Sequence, residues 1–406
     1  MTDALKNVDI AIREAVRNNI LKESPSNIVS KYNSEMIDFV SGNSFSILAI
    51  GKASIPMFKG MDKWLVGHST LRVCLSPDPE PMGEVTVLKG NHPFPSFDTF
   101  DSTEKIMELI RNDRSDSLIF LLSGGTSSLF EKPRQSISRD EYLEIMHKLV
   151  NGGFPIEQIN SVRCQLSDVK CGKMINHSSY GSILILAISD VPGDDISVIG
   201  SNPFFPSVNR DQEISLLEKF HIQFEKTIIR DCNVSGKIIL KGEKYARDLM
   251  DSIELGIEKI YLGNILKGDV NICAEKITEF LRKEYDRLGK PFLFSASGET
   301  TSRVIGNGKG GRNCLLSALI LQKMDENEIF TFLSLATDGE DGNSGLAGFI
   351  VDSALKKSVI REEINRYVEN SDTGTLAIKL KRHIFTGPTG NNVSDVVIGY
   401  YGGVIQ

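Results

Sequence analysis

Several signatures are missing from this 406-residue sequence, and each absence closes a class of chemistry. The six cysteines, Cys74, Cys164, Cys171, Cys232, Cys273 and Cys314, contain no C-x-x-C pair, and the six histidines no H-E-x-x-H. A zinc centre or a disulfide framework is therefore not expected, and the thiols read as reduced. No G-x-x-x-x-G-K-[ST] occurs, which excludes a P-loop ATPase on pattern. Basic residues are not in excess: 46 Lys and Arg against 53 Asp and Glu give a net charge of −7, without the basic stripe that nucleic acid requires. The longest wholly apolar run is ILILAI at 183–188, far short of the ~20 residues of a membrane span. The N-terminus sets Leu5, Val8, Ile12 and Val16 on one helical face among charges, unlike a secretory signal, so neither membrane nor export is indicated and a cytoplasmic location is expected.

What is present is an α/β pattern. FSILAI (45–50), LRVCL (71–75), SLIFLL (117–122), ILILAI (183–188) and KIIL (237–240) are apolar throughout, as strands covered on both faces of a mostly parallel sheet should be. KIYL (259–262), PFLFSA (291–296), SRVI (302–305), IFTFLSL (329–335), HIFT (383–386) and VVIGY (396–400) form a second series, with helical stretches at 269–288 and 313–324. Length and pattern predict two α/β domains, 1–240 and 241–406, with a soft boundary between about 230 and 260.

Nearly every strand ends in a loop that could carry chemistry, where open α/β sheets bind ligands. SLIFLL delivers Ser123, Gly124, Gly125, Thr126, Ser127 and Ser128, a set able to form an anion nest or, equally, a tight turn with a Ser cap. Gly51-Lys52 follows the first strand, and a lysine in a first helical turn opposes the helix dipole unless an anion lies there or water solvates it. Asp190, Asp194 and Asp195 cluster after 183–188, where carboxylates suit Mg²⁺, a general base or plain turn chemistry. ATDGEDGNSG (336–345), with Asp338, Glu340 and Asp341, departs from the EF-hand spacing. Gly306, Gly308 and Gly311 satisfy G-x-G-x-x-G, but no strand-end acid follows about 20 residues on, so a dinucleotide reading is weak. Lys309 and Arg312 instead place two cations in that loop. Thr386, Gly387, Thr389, Gly390, Asn391 and Asn392 form a last hydroxyl-and-amide loop. Anion-friendly loops, acidic loops and separate cations together describe phosphoryl transfer without a Walker motif.

In this order, AIGKAS (49–54), GNHPFPSFDTFDS (90–102), LLSGGTSSLF (121–130), NSVRCQLSDVKCGKM (160–174), SDVPGDD (189–195), SGETT with GKGGRN (297–313), ATDGEDG (336–342) and TGPTGNNVSD (386–395) resemble the glycerate 2-kinases with a C-terminal MOFRL-type domain. The resemblance implies ATP-dependent phosphorylation of D-glycerate at its 2-hydroxyl, giving 2-phosphoglycerate, with Mg²⁺ or another divalent cation. It also implies a Rossmann-like first domain, a second α/β domain, and an active site in the cleft between them. It assigns catalysis to Lys52, Asp190 and Arg312. Ligand binding is expected of Ser123, Gly124, Gly125, Thr126, Ser127, Glu299, Lys309, Gly390, Asn391 and Asn392, and metal binding of Asp190, Asp338 and Asp341. Whether Asp190 takes the hydroxyl proton or holds Mg²⁺ stays open, and a homo-oligomer is compatible with the sequence. Thr126, Ser297, Cys314, Asn202 and 343–345 depart from the family pattern, and Thr126 and Ser297 are expected to narrow a pocket or add donors. A nicotinamide-dependent hydroxypyruvate or tartronate reductase, resting on 306–311, a kinase for another small hydroxy acid, and a sugar-phosphate-binding or regulatory protein without turnover are the alternatives.

Overall fold

The computed structural model describes residues 2–404 apart from 192, 207–216, 219, 221 and 224–226. The chain divides into two compact units, Pro25–Ile239 and a second that joins Met1–Ser24 to Leu240–Gln406. The first 24 residues, expected within a domain 1–240, belong in the structure with the C-terminal half. The reason lies on the face of the helix Thr2–Lys22: Val8, Ile12, Ala15 and Val16 are buried, and the helix packs on the helix Gly242–Asp251.

The first unit is built on six strands: β1 (Phe45–Ile50), β2 (Arg72–Ser76), β3 (Thr86–Lys89), β4 (Ser117–Leu122), β5 (Ser182–Ile188) and β6 (Asn233–Leu240). Their order is β3-β2-β1-β4-β5-β6, and the pairings among β1 to β5 are all parallel. All six residues of β1 and of β4 are buried, as unbroken apolar strands require. Leu48, Ile50, Leu118, Phe120 and Ile185 share one core with Ile106 and Met107 of the helix Phe97–Asn112. This is the order of a doubly wound dinucleotide-binding sheet. Successive crossovers leave β1 toward β2 and β4 toward β5, so the crevice for a ligand opens beyond the carboxyl ends of β1 and β4.

The other unit holds β7 (Glu258–Tyr261), β8 (Leu266–Asp269), β9 (Phe292–Thr301), β10 (Glu328–Ala336), β11 (Gly348–Asp352), β12 (His383–Ile384) and β13 (Asp395–Val404). The order is β12-β11-β10-β13-β9-β7, with β8 paired to β9 beside it. Here β7 and β8 run parallel to β9, and the remaining pairs are antiparallel. The register sets Asp395 opposite both Ala336 and Gly298, which brings the loops after β9 and β10 and the loop before β13 to one end of the sheet. The expected strand at 302–305 is not formed: β9 ends at Thr301, and Val304 and Ile305 are exposed at 75% and 73%. No helix among the described residues is long and apolar enough to cross a membrane.

Candidate active site

In the first unit the crevice end of the sheet gathers Lys52, the Ser123–Ser127 turn and Asp190, which follow β1, β4 and β5 respectively. The backbone N–H of Lys52 donates to Gly124 O at 2.9 Å, tying the two loops together, and the Lys52 side chain is exposed. Gly125 opens the short helix Thr126–Leu129 at φ +85°, a conformation that favours glycine. A Cβ there would lie 3.1 Å from His92 Cδ2 and 3.2 Å from Lys52 Cγ, so His92, Lys52 and the turn form one cluster. Desolvation among these loops, reinforced by the Lys52 charge, holds the His92 imidazole down to about 4, and it is neutral at neutral pH.

The hydroxyls of this turn do different jobs. Ser123 Oγ accepts from Ala53 N at 3.1 Å and occupies the space a side chain at Gly51 would need. Thr126 is fully buried, and its Oγ1 lies 3.1 Å from Ile50 O and 2.8 Å from Ser123 O. Ser297 is also buried, bonded to Asn264 Oδ1 at 2.5 Å and Tyr261 Oη at 2.7 Å. The expectation that Thr126 and Ser297 reshape a ligand pocket is therefore corrected: both hydroxyls are engaged inside the protein. Asn202 is buried as well, donating to Ile196 O at 2.9 Å and accepting from Phe204 N at 3.1 Å. Gly125 and Ser127 are the partly exposed members of the turn.

The cysteine expectation is corrected too, since Cys164 and Cys171 form a disulfide across 5.8 Å between Cα atoms; Cys74, Cys232, Cys273 and Cys314 are free. The helix Ile156–Leu166 ends just before a turn that doubles back, bringing together two thiols whose spacing carries no motif.

In the other unit Arg312 opens the helix Arg312–Lys323. Its Nε and Nη2 donate to the two oxygens of Asp395 at 2.5 and 3.1 Å, and its Nη1 donates to Glu299 Oε1 at 2.5 Å. Three of five guanidinium N–H groups are thereby used for orientation, and two are left for a ligand. Asp395 is buried, which pushes its carboxyl up to about 7 against the opposing pull of Arg312 and a bond from Asn313 Nδ2 at 2.9 Å.

Asp341, expected to bind metal, caps this helix from a distant loop. Its Oδ1 accepts from Asn313 N at 2.9 Å and its Oδ2 from Cys314 N at 2.8 Å, satisfying two orphan donors of the first turn with a carboxylate. Asp341 is buried and each of its oxygens accepts from this first turn, so in the structure it serves as a helix cap. Asp338 uses one oxygen to accept from Glu340 N at 3.0 Å. Among the described residues no group of three or more His, Cys, Asp or Glu side chains is arranged to hold a metal ion. Asn391 ties down the end of the N-terminal helical region: it is buried, its Nδ2 donates to Glu23 O at 3.0 Å and its Oδ1 accepts from Asn392 N at 3.0 Å. Gly390 is exposed beside it, and the side chains of Lys309 and Glu299 are exposed.

The G-x-G-x-x-G stretch is consumed by packing. Gly308 N donates to Asn370 O at 3.0 Å, Lys309 N to Asp372 Oδ1 at 2.8 Å and Gly310 N to Asn343 Oδ1 at 2.8 Å. Side chains at Gly306, Gly308 and Gly311 would strike Asn370, Asp372 and Asp341. These glycines admit neighbouring loops, and the N–H groups of 308–310, three of those a pyrophosphate would need, already have partners within the protein. Three contributors escaped the sequence reading: His92, Lys170 and Asp395. All lie inside the family-like stretches, but a lone histidine, a buried lysine and a strand-start aspartate carry no spacing of their own.

A family model described as a domain of unknown function, DUF4147, matches residues 3–232, and that of the MOFRL family matches 292–395. The glycerate 2-kinase of Picrophilus torridus is 33% identical over 97% of this chain and 98% of its own. The crystal structure of a glycerate kinase from Thermotoga maritima superposes with a TM-score of 0.84 at 29% identity, over 98% of this chain and 99% of that one. A putative hydroxypyruvate reductase of Agrobacterium vitis is more distant, at 26% identity over 86% of this chain and 97% of its own. The order of strands, the strand-end loops and these similarities agree: the chain belongs to the glycerate 2-kinase family.

Proposed function

We propose that the protein transfers the γ-phosphoryl group of ATP to the 2-hydroxyl of D-glycerate, giving 2-phosphoglycerate and ADP. The observation that carries this reading is the placement of Lys52, beside a Gly-Gly turn and a neutral His92, where the parallel sheet opens its ligand crevice. Phosphoryl transfer asks little covalent chemistry of the protein and much positioning and charge stabilisation. In this reading Lys52 and Arg312 neutralise the transferring group or hold the glycerate carboxylate. Gly124, Gly125 and Ser127 line the turn that faces it, while Ser123 and Thr126 shape that turn from within. Asp190, at the end of β5, takes the 2-hydroxyl proton or a divalent cation. A divalent cation, when bound, would screen the nucleotide phosphates, and Asp190 or Asp338 would be a carboxylate ligand to it. Glu299 acts through Arg312, and Lys309, Gly390 and Asn392 border the loops at the same end of the second sheet. A cytoplasmic location completes the reading.

The reductase alternative is disfavoured because its one sequence feature, 306–311, lacks the strand-end acid and has the N–H groups of 308–310 bonded to the protein. The test is to incubate the protein with D-glycerate, ATP and Mg²⁺ and resolve 2- from 3-phosphoglycerate. Stoichiometric ADP and 2-phosphoglycerate support the proposal; NADH oxidation on hydroxypyruvate without ADP release defeats it, and nucleotide binding without turnover on any hydroxy acid points to a binding protein.

A further inference from the structure

Beneath the Gly124–Ser127 turn lies a cation that the reaction above does not use. Lys170 is 0% exposed. Its Nζ donates to Thr126 O at 2.9 Å and to Gly200 O at 3.3 Å, and stands 5.8 Å from the centroid of the Phe130 ring, within cation–π range. The two carbonyls belong to segments that follow neighbouring strands, β4 and β5. These segments meet again where Ser127 Oγ lies 3.3 Å from Ser201 Oγ. Ser201 Oγ in turn donates to Asn160 Oδ1 at 3.1 Å, which also accepts from Arg163 Nη1 at 2.7 Å. The neighbouring Cys171 N donates to Ser201 O at 2.9 Å. There is no slack between the loops: a Cβ at Gly200 would stand 2.7 Å from Thr126 Cβ.

Burial drives the ammonium of Lys170 down, to about 7, against the attraction of Glu131 and with the repulsion of Arg163. A buried charge is a poor way to fill space, because an apolar side chain of similar length avoids the desolvation cost. What a methionine could not do is grip two carbonyls from different loops.

We propose that Lys170 is a positioning residue: from inside the protein it fixes the Gly124–Ser127 turn against the loop after β5, and through Gly124 O it fixes the backbone of Lys52. The proposal rests on the kinase reading of that crevice, but it makes a claim about the loops that can fail separately.

The experiment compares wild type, K170M and K170R as full-length proteins. It measures kcat and KM for D-glycerate and ATP, together with hydrogen–deuterium exchange of segments 123–128 and 198–202. For K170M, kcat is expected to fall about a hundredfold, the scale of an ångström-sized misplacement, with KM changed much less and both segments exchanging faster. K170R, which keeps the cation and its donors, is expected to restore most of both. Wild-type kcat and exchange in K170M, or a K170R no better than K170M, overturns the proposal. Should K170M not fold, N160A cuts the other end of the same chain of bonds. It is expected to loosen 123–128 and lower kcat, and wild-type values for both overturn the proposal as well. A wild type without glycerate 2-kinase activity ends the kinase reading and leaves the exchange comparison to decide the role of Lys170.

Discussion

Two glycine-rich loops connect a strand to a helix, one in each unit, and they have opposite fates. Residues 306–311 match a phosphate-binding pattern, yet the backbone donors of 308–310 end on Asn370, Asp372 and Asn343. Residues 123–127 match no such pattern, yet they lie at the switch point of a doubly wound sheet beside Lys52 and His92. The lesson is that a run of glycines signals close approach by something, and a neighbouring loop serves as well as a ligand. Where the N–H groups go decides between them.

Substitutions can break or sharpen this contrast. The largest effects are expected at the two cations: K52A and R312A should each lower kcat by roughly 10²-fold or more, as loss of a preorganised electrostatic group does. Steady-state kinetics on variants with unchanged circular dichroism check this, and a wild-type kcat in either removes that residue from the mechanism. G308A should act on the fold, since its new Cβ meets Asp372. A loss of about 1–3 kcal/mol is expected from overpacking, with kcat/KM nearly unchanged in the folded fraction. A large fall in ATP affinity at full stability would place a ligand on 306–311 after all.

T126A tests the interior of the other loop. It leaves the buried carbonyls of Ile50 and Ser123 without the hydroxyl they now share and should cost about 1–3 kcal/mol, read by denaturant titration. KM for D-glycerate should hold, whereas a shifted KM at constant stability would make Thr126 a pocket residue. The smallest effect is a pH slope. His92 titrates near 4 in the folded chain against 6.5 for the free group, so the unfolded chain takes up its proton first. Its contribution to stability is present above 6.5 and is lost as pH falls toward about 4. H92Q should flatten the melting temperature across that window, and identical slopes would show that His92 is not held neutral.

Much of the fold was legible in the sequence because β1, β4 and β5 are unbroken apolar runs, and their loops carry Lys52, the hydroxyls of 123–128 and Asp190. Legibility ended where a side chain's role depends on a distant partner. Asp341 reads as a metal ligand until the first turn of the Arg312 helix is seen to end on it. Asn391 reads as a ligand donor until it is found holding Glu23 O, 368 residues away in the chain. Thr126 reads as a pocket residue because sequence shows its neighbours and not the Ile50 carbonyl beneath it. The same blindness hid Lys170 and Asp395, whose partners lie inside the protein, and the Cys164–Cys171 link.

The most direct test of the central contrast is amide hydrogen exchange with and without saturating ATP, Mg²⁺ and D-glycerate, followed in the peptides that cover 51–53, 123–128 and 306–311. Slower exchange in the first two, with 306–311 unchanged, is the predicted result; protection of 306–311 with none at 51–53 and 123–128 would contradict it.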